Sequence, residues 1–124
     1  MTTPQNPVRI MGIFKCPVAT SMETFTQKLE TLMEAVVALP CGKNISKYEL
    51  CVPNRGLDAH LERLGMPSPQ GTIVVTAEFP TVENLDALFV APEIITLVEG
   101  AKGDIDMHIE SCTFAYDKIS KIGN

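Results

Sequence analysis

The chain has no tryptophan and only two histidines and two tyrosines. So few imidazoles leave a zinc site little to build on, and no two of the four cysteines stand at C-x-x-C spacing. A disulfide framework does not fit a chain of this size with thiols at 16, 41, 51 and 112, and these are expected as buried, inert side chains. Any of them remains a possible nucleophile. The formal net charge is -5, and no basic stripe exists to release counterions from a phosphate backbone, so nucleic acid is excluded as a partner. No apolar run reaches the roughly 18 residues that a membrane span requires. The opening MTTPQNP has no signal-peptide core, so the expected address is the cytoplasm. Phosphate loop, dinucleotide fingerprint, H-E-x-x-H and G-x-S-x-G are all missing, and no cofactor or metal is expected.

What is present describes an ordinary globule: 124 residues, 45% hydrophobic and 20% charged. The expected division is a loose arm over 1–7, one domain over 8–117 and a tail over 118–124. Gly71 to Gly100 organises that domain. Thr72–Phe79 is rich in Val, Ile and Thr, which stiffen an extended backbone, and Pro80 ends the run because it has no N–H to donate. Thr81 then caps a helix carrying Leu85, Leu88 and Phe89, and Pro92 breaks and restarts it. Gly100 and Gly103 are expected to release the backbone.

Upstream, Val8–Lys15 (VRIMGIFK) reads as a strand buried on both faces. Thr20 and Glu23 have capping-box spacing, and Met22, Phe25, Leu29, Leu32, Met33, Val36 and Val37 mark one face of the longest helix, which Pro40 stops. Ile45–Val52 alternates, with Tyr48, Leu50 and Val52 opposite Lys47, Glu49 and Cys51. In the connector 54–70, Leu57, Leu61 and Leu64 predict two helical turns lying on the body, with His60 on the same face. Met107–Tyr116 is the last predicted strand, with His108, Glu110, Cys112 and Phe114 on one side.

The order β-α-β-β-α-β predicts an α+β, ferredoxin-like sheet of four antiparallel strands with two helices on one face. The other face is too apolar to stay bare. A second copy is its expected cover, so that two sheets close into a barrel. On VRIMGIFK, the helix after it and VVTAEFPTVENLDALFVAPEIITLVEG, the chain resembles the dimeric α+β barrel superfamily, in particular its EthD-like and stress-responsive A/B barrel members. Antibiotic-biosynthesis monooxygenases and polyketide cyclases belong to the same superfamily.

The resemblance implies a homodimer with an apolar pocket between sheet and helices. Met11, Ile13, Phe25, Leu29, Val75, Phe79, Leu88 and Phe89 would line it against a small hydrophobic substrate. Ile73, Leu88 and Ile94 stand where plant polyketide cyclases carry His and Tyr, so that apparatus does not carry over.

The residues themselves offer His108 beside Glu110, an imidazole with a carboxylate to fix its tautomer, which is the pair that proton transfer requires. Tyr48 or His60 would donate a hydrogen bond to a carbonyl or enolate. Glu49 and Glu78 could form a carboxylate pair unless lysines neutralise them, and Arg55 offers one cation for an anionic substrate. The leading expectation is a cofactor-independent enzyme doing proton-transfer chemistry (cyclase, lyase, dehydratase, decarboxylase or isomerase) on a carbonyl-bearing, polyketide-like or aromatic metabolite. A cofactor-free monooxygenase and a non-catalytic hydrophobic-ligand or stress-responsive barrel are the alternatives.

Overall fold

β-Branched residues crowd two eight-residue stretches, and both become the central strands of one sheet. The computed structural model describes residues 7–67, 71–105 and 111–122. Within them the order is β1 (Val8–Lys15), α1 (Met22–Ala38), a 3-10 turn (Pro40–Asn44), β2 (Lys47–Cys51), α2 (Arg55–Arg63), β3 (Thr72–Phe79), α3 (Val82–Phe89), α4 (Pro92–Ile105) and β4 (Cys112–Ala115). The sheet runs β2-β3-β1-β4, antiparallel at each pairing, which is the ferredoxin-like topology. The arm at 1–6 and the first part of the expected last strand, 107–110, lie outside the described residues.

Register decides which residues meet the helices. Val8, Ile10, Gly12 and Phe14 of β1 pair with Phe79, Ala77, Val75 and Ile73 of β3, and Tyr48 and Leu50 of β2 pair with Ala77 and Val75. Directly paired residues share a face. This face carries the core, in two clusters. Phe25, Leu29 and Ile73 form one, joined by Phe14, Leu32 and Leu50. Val36, Ala77, Phe79, Leu88 and Ile94 form the other, joined by Val8, Ile10 and Tyr48. Phe25, Ile73 and Phe79 are wholly buried. α1, α3 and α4 all contribute to these clusters, whereas α2 buries no residue.

Several expectations change in detail. Ser21, not Thr20, caps α1: its hydroxyl accepts from the Thr24 N–H at 3.1 Å. Pro92 breaks the second helix as expected: it has no N–H to continue α3 and instead opens α4. α4 then runs through Gly100 and Gly103 to Ile105 rather than stopping at them. Positive φ falls instead at Gly65 (90°) and Gly71 (71°), which bend the connector back toward β3. β1 is half-buried along most of its length within one protomer, not sealed on both faces.

Candidate functional site

The eight residues expected to line one pocket divide four ways. Phe25, Leu29, Phe79 and Leu88 are at most 5% exposed and belong to the core clusters. Phe25 and Leu29 pack in one cluster, Phe79 and Leu88 in the other. Val75 is half-buried on the same side of the sheet. Met11 and Ile13 pair with Thr76 and Val74 and stand on the opposite face, since one step along a strand reverses the side chain. Phe89, the last residue of α3, is 49% exposed.

The proposed proton-transfer residues do not gather either. Tyr48 stands on the helix side of β2 opposite Ala77, where burial pushes its phenol above the ordinary value. His60 lies on the exposed α2, which follows the other end of β2. His108 and Glu110 lie outside the described residues. Cys112 and Phe114, which the sequence pattern grouped with them, pair with Ile13 and Met11 on the face away from the helices.

The amphipathic spacing of α2 was legible, but its packing was not. Leu57, Leu61 and Leu64 are 61%, 43% and 65% exposed, so the helix stands away from the body. Between it and α1 opens a cleft of ≈ 940 Å³, whose lining includes Met22, Gln27, Val52, Arg55 and Gly71. Glu23, Glu30, Asp58 and Glu62 also line it. Four carboxylates against one guanidinium make the cleft acidic, which disfavours the anionic substrate that Arg55 suggested. The helical spacing of Glu23 with Glu30 and of Asp58 with Glu62 was the available signal for this gathering.

The sheet face away from the helices is the other extended feature. Reading across β2, β3, β1 and β4, its first level holds Lys47, Glu78 and Arg9, and its second Glu49, Thr76, Met11 and Phe114. The third holds Cys51, Val74, Ile13 and Cys112, and the fourth Thr72 and Lys15. Arg9 Nε lies 3.5 Å from Glu78 Oε2, and Lys47 Nζ lies 3.7 Å from Glu49 Oε1. Each glutamate therefore has a cation, with Arg9 serving Glu78 where a lysine was expected.

Arg9 Nε is buried without a hydrogen-bond partner. Cys51 and Cys112 are exposed rather than buried, because they occupy the two edge strands of this face. Cys16 and Cys41 are half-buried. The Cys16 thiol donates to the Thr20 carbonyl at 3.1 Å, and burial raises its pKa. Among the described residues no group of three or more His, Cys, Asp or Glu is placed to hold a metal ion, and no helix is long and apolar enough to cross a membrane.

No family model and no curated protein matches the chain in sequence. Its structure is similar to that of a mutant of SnoaB, a cofactor-independent oxygenase from Streptomyces nogalater (TM-score 0.64, 8% identity, 97% of this chain over 100% of that one). It is similar as well to an antibiotic biosynthesis monooxygenase (TM-score 0.55, 18% identity, 93% over 100%). A third likeness is to a dimeric protein of unknown function and ferredoxin-like fold from Bacteroides fragilis (TM-score 0.58, 18% identity, 94% over 100%). The chain thus has the ferredoxin-like α+β fold shared by these proteins, of which one is described as dimeric, one as a monooxygenase and one as a cofactor-independent oxygenase.

Proposed function

We propose that the protein is a homodimeric, cofactor-independent enzyme that takes a proton from a small hydrophobic, carbonyl-bearing metabolite. An enolate so formed is electron-rich. It can be reprotonated elsewhere, expel a leaving group or close a ring, and it can also react with O₂, so proton transfer and cofactor-free oxygenation share a first step. The observation that carries this reading is the fold, which spans nearly the whole chain and is shared with a cofactor-independent oxygenase. His108 is the proposed base and Glu110 its orienter. Tyr48 or His60 is the proposed donor to the substrate carbonyl.

The test is turnover of a panel of phenolic and polyketide-like ketones, followed by oxygen uptake and mass spectrometry. Product carrying one atom of labelled oxygen, formed without added flavin or metal, supports the oxygenase branch. Product formed equally well without O₂ supports the cyclase or lyase branch. His108→Ala is expected to lose at least about a hundredfold in kcat, and undiminished turnover would remove His108 from the assignment.

The close packing on the helix side favours a second reading, a non-catalytic barrel that holds a hydrophobic ligand or assembles further. Saturable binding from the panel without any turnover would select it.

A further inference from the structure

Two identical sheets can meet face to face about a two-fold axis lying between them, and that axis has two limiting directions. An axis along the strands reverses the strand order and keeps each level opposite itself. An axis across the strands keeps the order and exchanges the first level with the fourth. These two arrangements bring different charges together.

With the axis across the strands, Arg9 meets the partner's Lys15, cation against cation, and Glu78 meets the partner's Thr72. With the axis along the strands, Glu78 meets the partner's Arg9, and Arg9 meets the partner's Glu78. Val74 then covers the partner's Ile13, and Cys51 faces the partner's Cys112. The buried Arg9 Nε, which has no hydrogen-bond partner in its own protomer, gains a second carboxylate in this arrangement.

We propose that a second copy of this chain docks on the open sheet face with its two-fold axis along β1 and β3, so that Arg9 and Glu78 cross-pair and the thiols of Cys51 and Cys112 face each other across the interface. This rests on the homodimer of the proposed function and goes further by fixing its orientation.

Sedimentation of the wild-type chain at micromolar concentration separates the two. A lone protomer would overturn the homodimer itself, and the orientation with it. For the dimer, a short bis-maleimide followed by peptide mapping of the dimer-sized band is expected to join Cys51 to Cys112. Cys51–Cys51 and Cys112–Cys112 products, or no dimer-sized product, would overturn the orientation alone.

Charge variants give an independent reading. Glu78→Arg places four cations at the crossing and Arg9→Glu four carboxylates, so each variant is expected to dimerise at least about tenfold more weakly. Their equimolar mixture is expected to dimerise as the wild type does, although neither variant retains its own Arg9–Glu78 pair. Two variants that both stay dimeric, or a mixture that stays monomeric, would overturn the proposal. If either variant fails to fold, the wild-type cross-link decides.

Discussion

At Gly42 the 3-10 turn passes so close to α1 that a Cβ would sit 2.6 Å from the Val36 carbonyl oxygen and 2.9 Å from that of Val37. These are backbone atoms at a helix end and cannot swing aside. Gly42→Ala is therefore expected to cost about 1–3 kcal/mol, as overpacking does, read as a lower urea midpoint with an unchanged slope.

Tyr48 makes a different demand, on pH. Its phenol is harder to ionise in the folded chain than in the unfolded one, so the folded state holds that proton more tightly. This contribution is whole below about pH 10, the unfolded value, and is lost as pH rises through the raised folded one. Denaturation at about pH 8 and about pH 11 should show the wild type losing more stability over that interval than Tyr48→Phe. An equal loss in both would mean that Tyr48 titrates as a free phenol.

Among the elements, the start of α1 separates what composition implied from what geometry settled. Thr20 and Glu23 have the spacing of a capping box, yet the helix begins one residue later and Ser21 takes the cap. Ser21→Ala should cost about 1 kcal/mol and Thr20→Ala less than half of that, compared by thermal melts of the two variants. The same distinction runs through the fold. Strand limits at β1 and β3 and the break at Pro92 were legible, because β-branched runs and prolines act locally.

Which parity of β1 would meet the helices was not legible, since Met11 and Ile13 are as apolar as Ile10 and Phe14. Only pairing with β3 and the helices above it settles that choice. The exposure of α2 was hidden for a related reason. Leucines at helical spacing announce an apolar face but not the surface that covers it. The acidic cleft needed α1 and α2, separated by a strand, to be brought side by side.

For the whole molecule, the decisive contrast lies between the two faces of one sheet. One side is sealed by three helices, while the other presents Met11, Ile13, Val74 and Phe114 between a charged level and a level of Thr72 and Lys15. Phe114 is 43% exposed and lies on the face away from the helices, so Phe114→Asp should leave the far-ultraviolet circular dichroism unchanged and shift sedimentation toward a single protomer. The melting temperature of the wild type should rise with protein concentration, and that of the variant should not.

Both core clusters are built from one chain alone. For the proposed homodimer this means that a subunit folds before it pairs. Recovery from denaturant should proceed in a phase indifferent to dilution, followed by one whose rate scales with concentration, and mature pairs should trade members without unravelling.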